Sequence, residues 1–326
     1  MAYNMLTQTL RLARRWIPPI VGLVLLIVLF VRSDTQTVFD LLWNADKVLL
    51  SVAVLLSIAN LTLGVFRWKT LLRHLNVNVS TITLLRFVTE AIAINLFIPS
   101  GLAGEFARAF NLHKNHSDGG AAYSSVITDK LLGLIAFLLL AIAAIAFEWS
   151  RLENSGVVLP ISIVGFILIT GTAVLYSRRL SALLDKALAV VPQLSRIWTP
   201  LSVSLQKFRE APFLICYTLF MAFAAHFAQI LCTWVIGLSL GIEIGLMPYF
   251  LYVPIIALVA ALPISNSGLG VRESSFVFLL ALVGVSAESA LALSLIFTCL
   301  ALIIPGTVGL ALLALGPSLK ADPPAN

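Results

Sequence analysis

The stretch NLFIPSGLAGEFAR, residues 95–108, decides how this chain is read. An apolar run meets Pro99, Ser100 and Gly101, and Glu105 and Arg108 follow within a few residues, so a helix is broken inside apolar sequence and charges are set just past the break. Proline lacks the N–H that a helix interior needs, and glycine accepts dihedrals closed to other residues. Backbone freed in this way is tolerated at membrane depth only where protein or a wet cavity surrounds it. A helix resuming near Ala103 would present free N–H groups and the positive end of its dipole, with Arg108 one turn further on, which suits a phosphate or carboxylate.

The surroundings are those of a membrane. Of the 326 residues 60% are hydrophobic and 11% charged, against roughly 25% charged in ordinary soluble domains, and the mean hydropathy is +1.02. The expectation is an all-α polytopic membrane protein forming one membrane domain, 1–326. The net charge of +6 reads as cytoplasmic loops rather than a nucleic-acid partner. Cys216, Cys232 and Cys299 lie in apolar runs without CxxC spacing, so neither a disulfide framework nor a metal site is expected. His113 and His116 have no further ligand cluster beside them.

Spanning segments of ~20 apolar residues are expected at 16–32, 48–66, 124–147, 157–177, 212–238 and 289–315. The first follows Arg11, Arg14 and Arg15, carries no small-residue cleavage site, and is expected to kink at Pro18 and Pro19. Lys and Arg gather on the cytoplasmic side. The N-terminus and the loop with Arg67, Lys69 and Arg73 are placed inside. The loop with Asp34, Asp40 and Asp46, and 148–156, are placed outside, and 178–210, with six Lys or Arg, is inside again. These assignments agree only if 82–116 enters and leaves on one side as a re-entrant hairpin. Region 247–284 is then a hairpin from the opposite side, and both termini are cytoplasmic. In 178–210, Leu194, Ile197, Trp198, Leu201, Leu205 and Phe208 recur at helical spacing opposite Arg196, Lys207 and Arg209, which predicts an amphipathic linker on the cytoplasmic leaflet. The tail from Gly316 is expected to be disordered.

The chain also aligns with itself. IPSGLAGEFAR is answered by LPISNSGLGVRE at 262–273; Asn60 meets His226 and Trp68 meets Trp234 at an offset of 166, Ser100 meets Ser267 at 167, and Ser125 meets Ser294 at 169. Repeat 1 (48–147, hairpin 82–116) and repeat 2 (212–315, hairpin 247–284) are separated by one crossing besides the linker, so they are expected to be inverted. Inverted repeats with broken helices at matching places point to a transporter site near the midplane.

The hairpin motifs, Asn95, Pro99, Gly104, Glu105 and Arg108 in the first and Pro263, Ser265, Gly268, Gly270, Arg272 and Glu273 in the second, resemble those of a flippase-like transmembrane family. That family is named for the N-terminal region of lysylphosphatidylglycerol synthase, the multiple peptide resistance factor. The resemblance covers roughly residues 15 to 315. It implies movement of a lipid or lipid-linked substrate between leaflets of a plasma (inner) membrane. The synthase's aminoacyl-transferring domain has no counterpart in this sequence, so lysyltransferase activity is not expected. Family associations with hopanoid and polyprenyl-linked sugar pathways leave the lipid open. Two departures matter: Asp129-Lys130 stands where the family suggests Glu-Arg, preserving charge, and Phe297-Thr298-Cys299 lacks an Arg often found there, which leaves coupling open.

The candidate substrate-binding residues are Asn95, Ser100, Gly101, Gly104, Glu105, Arg108, Asp129 and Lys130 in the first repeat. In the second they are Ser265, Asn266, Ser267, Gly268, Gly270, Arg272 and Glu273. No catalytic residue, metal ligand or cofactor is assigned. Glu105 and Glu273 either pair with the neighbouring arginines, 105 with 108 at i+3, or exchange a proton. Arg86 and Glu90 have i, i+4 spacing. Asn60 and His226 read first as helix-packing groups. The leading function is a lipid flippase holding a phosphate-bearing headgroup between Arg108 and Arg272. No GxxxxGK[ST] loop is present, so ATP drive within this chain is not expected. The rivals are interlocking salt bridges that only fasten the hairpins, a membrane enzyme with Glu105 or Asp129 as base, and an accessory subunit of a separately encoded lipid-modifying enzyme.

Overall fold

The computed structural model describes residues 2–98, 103–116, 119–147, 149–152, 156, 158–189, 192–262 and 264–316. Pro99 to Leu102, Pro263 and the tail from Pro317 lie outside them, so the expectations for Pro99, Ser100, Gly101, Pro263 and the tail have no structural counterpart here. Among the described residues every regular element is helical. In chain order these are α1 (Ala2–Arg32), α2 (Thr35–Asn44), α3 (Lys47–His74), α4 (Thr81–Phe97), α5 (Ala103–His116), α6 (Gly119–Phe147), α7 (Trp149–Leu152), α8 (Val158–Tyr176), α9 (Arg178–Ala189), α10 (Pro192–Arg209), α11 (Pro212–Ser239), α12 (Leu246–Ala260), a 3-10 turn (Asn266–Gly268), α13 (Val271–Ala281), α14 (Ala287–Thr298), a π turn (Cys299–Ile303) and α15 (Ile304–Ala314).

Helices α3, α6, α11 and the continuous α14–α15 run, Ala287–Ala314, are long and apolar enough to cross a membrane. Two bent pairs bring the total to six if each is one span: α1 from Ile17 turns 92° into α2, and α8 turns 80° into α9. The first bend follows from its cap. Asp34 accepts from Gln36 N at 3.1 Å and from Thr37 Oγ1 at 2.7 Å, so a new helix starts there instead of extending the old one. Helix α1 runs through Pro18 and Pro19 without a break. The π turn sits just before Pro305, whose missing N–H and bulky ring disturb the carbonyl four residues back. Ser57 Oγ donates to the Leu300 carbonyl of that widened turn at 3.3 Å.

Broken regions 82–116 and 247–284 are helical hairpins, α4–α5 and α12–α13. Their packing is reciprocal. Helix α3 lies along α11, α4 packs on α15 while α12 packs on α6, and α5 packs on α6 as α13 packs on α14. Small residues permit the close approaches: a Cβ on Gly309 would sit 2.0 Å from the Thr89 carbonyl oxygen, and one on Gly104 would sit 2.2 Å from that of Ala91.

Contacts also sort the loops into two ends. At one, Asp46 N donates to Ser239 O at 2.9 Å and α2 packs on α14. At the other, His74 Nε2 lies 3.2 Å from Lys207 O, and Arg86 Nη2 donates to Leu312 O and Gly316 O at 3.1 and 2.7 Å. These groupings match the two sides read from loop charge. The linker differs from expectation. Its two helices do not present one common apolar face to lipid, because Leu205 and Phe208 of α10 are buried against Leu71, Leu75, Ala121 and Leu132. A protein groove at the end of α3 and α6 covers the Leu205 and Phe208 end of the stripe that the spacing alone assigns to a leaflet.

Candidate functional site

The charged side chains Arg86, Glu90, Glu105, Arg108, Arg272 and Glu273 of the hairpins all have partners, several of them on other helices. Asp129 of α6 is 4% exposed and bridges two guanidiniums: Arg67 Nε at 2.7 Å from Oδ1, and Arg108 Nη2 at 3.1 Å from Oδ2. Arg108 also lies over the Trp68 ring, 4.3 Å from its centroid, and Trp68 Nε1 donates to Ser125 Oγ at 3.1 Å. The next residue of α6, Lys130, is turned about 100° around the helix and meets Glu105 Oε1 at 2.6 Å. Glu105 therefore pairs with Lys130 and Arg108 with Asp129, so of the two alternatives for Glu105 the local 105–108 pair is not formed. The i+3 spacing permits such a pair, but α6 supplies closer countercharges. Arg86 and Glu90 do pair, at 2.7 Å, and Asn111 Nδ2 donates to the other Glu90 oxygen at 3.0 Å.

Asn95 joins this cluster to the break. Its Oδ1 accepts from Gly104 N at 2.8 Å, occupying one free amide at the start of α5, and its Nδ2 donates to Glu105 Oε2 at 3.2 Å. Its backbone carbonyl accepts from Ser267 Oγ at 2.7 Å, while Asn266 Nδ2 donates to Leu96 O at 2.8 Å. The end of α4 thus touches the turn of the second hairpin. Ser267 makes the contact from a left-handed conformation, φ 52°, rare for a residue with a Cβ.

Beyond the tip, Ser267 O accepts from Arg272 Nη2 at 2.9 Å, and Arg272 Nη1 stands 3.5 Å from Thr298 Oγ1. Thr298 Oγ1 donates to Glu273 Oε1 at 2.7 Å, and Glu273 Oε2 caps Gly270 N. Glu273 and Arg272 are therefore not paired with each other: the first closes the start of α13, and the second reaches back to the tip. Gly270, at φ +81°, lies against α1, where a Cβ would meet Gly22 O at 2.2 Å. Gly268 lies less tightly on Ala260, where a Cβ would meet the carbonyl oxygen at 2.9 Å. Ser265 is buried among these groups. A continuous polar thread runs Lys130, Glu105, Asn95, Ser267, Arg272, Thr298, Glu273, across both hairpins.

This thread sits deep. Asp129 is about 15 Å along α6 from its start, and Thr298 about 16 Å along α14 from the opposite end of the bundle. Around Asp129 three cations, Arg67, Arg108 and Lys130, meet two anions, Asp129 and Glu105, so the first cluster has one positive charge in excess. Arg108 Nε is buried with no hydrogen-bond partner among the described residues. His226 packs face to face on Phe137, centroids 3.5 Å apart, with Nε2 3.0 Å from Gly133 O, in keeping with a packing role. Arg67 and Thr298 are the participants that spacing did not single out.

A family model for the transmembrane region of lysylphosphatidylglycerol synthase matches residues 15–309. The chain belongs to that family. Similar proteins include a UPF0104 membrane protein of Pyrococcus horikoshii, 24% identical over 323 residues, covering 91% of this chain and 95% of that one. A UPF0104 membrane protein of Methanothermobacter thermautotrophicus is 30% identical over 128 residues, 39% of this chain and 38% of its own length. The family match concerns the synthase's transmembrane region.

Proposed function

We propose that this member of the synthase transmembrane-region family moves a phosphate-bearing lipid, or a lipid-linked intermediate, between membrane leaflets. The observation that carries the reading is two largely buried guanidiniums on one carboxylate: Arg67 and Arg108 share Asp129, near where the end of α4 meets the turn of the second hairpin. A buried net charge is costly, and an anionic headgroup is the partner that would balance the second guanidinium. The residues proposed to meet the headgroup are Asn95, Ser100, Gly101, Gly104, Glu105, Arg108, Asp129 and Lys130 on one side. On the other they are Ser265, Asn266, Ser267, Gly268, Gly270, Arg272 and Glu273. Reciprocal packing of the hairpins and the matching sequence motifs support an inverted repeat, in which rocking one unit against the other exposes the site alternately. The Lys and Arg bias supports a plasma membrane orientation with the end carrying Arg73, Arg178 and Lys207 in the cytoplasm.

The test is reconstitution into proteoliposomes with fluorescent phosphatidylglycerol and polyprenyl-phosphate lipids, scoring leaflet exchange. Exchange of one class, lost in the Arg108→Ala/Arg272→Ala double variant that still elutes as folded protein, is the expected result. Equal exchange by both proteins would remove the headgroup role from these arginines. No exchange by either would favour an accessory subunit that presents lipid to a separately encoded enzyme.

A further inference from the structure

Neither helix of the linker belongs to the site, and α9 is the one that leaves leucines exposed among the described residues. It leaves the spanning α8 at 80°, so it runs nearly across the bundle axis at the end where His74 meets Lys207, and it packs on α8 and α10. Stepping 100° per residue around the helix, Arg178, Arg179 and Lys186 fall within one arc about 100° wide, with Asp185 about 20° beyond its Arg178 edge. Leu180 and Leu183 fall on the next arc, and buried Ser181 faces the protein. All three cations are exposed, and so are Leu180 at 38% and Leu183 at 61%. Leucines uncovered beside a cationic arc, on a helix lying across the bundle end, are the composition of an interfacial helix. The opposite end is richer in carboxylates: α2, turned 92° from α1, carries Asp40, is flanked by Asp34 and Asp46, and exposes Phe39 and Trp43.

We infer that α9 lies in the headgroup layer and holds anionic phospholipid, with Arg178, Arg179 and Lys186 on the phosphates and Leu180 and Leu183 among the upper acyl carbons. Charge complementarity selects this occupant. Each cation near an anionic surface strengthens binding about fivefold, and the attraction fades over about a Debye length as salt rises. The effect is to enrich anionic lipid at the end of the bundle from which Arg67 and Asp129 are nearer. This binding stands apart from transport and is read without it.

The full chain, purified in detergent and offered equal phosphatidylglycerol and phosphatidylcholine, is examined by native mass spectrometry. Wild type is expected to retain phosphatidylglycerol several-fold over phosphatidylcholine, and the Arg178→Gln/Arg179→Gln/Lys186→Gln variant to approach parity. Equal retention by wild type, or an unchanged preference in the variant, overturns the inference. A fluorophore on Ala182→Cys, with Cys216, Cys232 and Cys299 replaced by alanine, gives an independent reading in phosphatidylglycerol nanodiscs. Quenching by a headgroup spin label is expected. Quenching by aqueous iodide but not by the lipid label would mean that α9 faces water, open to a soluble partner, and would also overturn it. Because neither readout involves leaflet exchange, failure of the transport reading leaves both results interpretable.

Discussion

Hairpin α4–α5 is fastened to its surroundings by ions, with Asp129 and Lys130 of α6 holding Arg108 and Glu105. Hairpin α12–α13 is fastened by Arg272, Glu273 and the hydroxyl of Thr298. The self-alignment offset of 169 that matches Ser125 with Ser294 carries Asp129 onto Thr298. Both halves therefore brace the hairpin from the same place on the following span, one with a carboxylate and the other with a neutral side chain. The energetic consequences differ. Removing one partner of a buried ion pair leaves an uncompensated charge, at about 3–5 kcal/mol, whereas losing a neutral hydroxyl leaves unsatisfied polar atoms, at about 1–3 kcal/mol.

Substitution of these two braces gives the largest expected effect. Asp129→Ala leaves Arg67 and Arg108 buried without their shared carboxylate and is expected to destabilise the folded protein by about 3–5 kcal/mol. Thermal unfolding in detergent, followed by gel filtration, would measure it. Thr298→Val, which keeps the shape but removes the donor to Glu273, is expected to cost about 1–3 kcal/mol in the same assay. Equal losses at both positions would break the contrast between an ionic and a neutral brace.

A second contrast lies one turn before the braces. Trp68 donates to Ser125 and carries Arg108 on its face, but its counterpart Trp234, like Ser294, has its buried polar atom unpartnered among the described residues. Trp→Phe makes the same truncation at both sites. Trp68→Phe is expected to cost about 1–2 kcal/mol more than Trp234→Phe, the worth of one hydrogen bond and the better cation–π face. If the two cost the same, Trp68 is packing alone.

The architecture was legible because its signals are local. Pro and Gly interruptions mark both broken regions, and loop charge groups the loops that the Asp46–Ser239 and His74–Lys207 contacts also bring together. The ion pairing was not legible, because spacing along one helix cannot reveal a partner on another. Glu105 has Arg108 at i+3 but pairs with Lys130, 25 residues on. Arg67 was read as a loop cation beside Lys69 and Arg73. Helix α3 in fact continues to His74, and its twist buries Arg67 while leaving Arg73 exposed. Thr298 looked like a missing arginine, because only the fold sets its hydroxyl between Arg272 and Glu273.

The smallest effect on stability is expected where the two hairpins meet. Ser267→Ala removes the hydroxyl that donates to Asn95 O and keeps the Cβ in a left-handed conformation, φ 52°, so it should cost about 1 kcal/mol. Ser267→Gly removes the same hydroxyl, but glycine enters that conformation without steric cost, so its net change should be nearer zero. The pair separates two roles that one substitution would confound. If the tip contact couples the hairpins during transport, leaflet exchange changes equally in both variants although their stabilities differ. Exchange that instead follows stability, falling in the alanine variant and unchanged in the glycine variant, would assign Ser267 to holding the turn and remove it from the thread between Glu105 and Arg272.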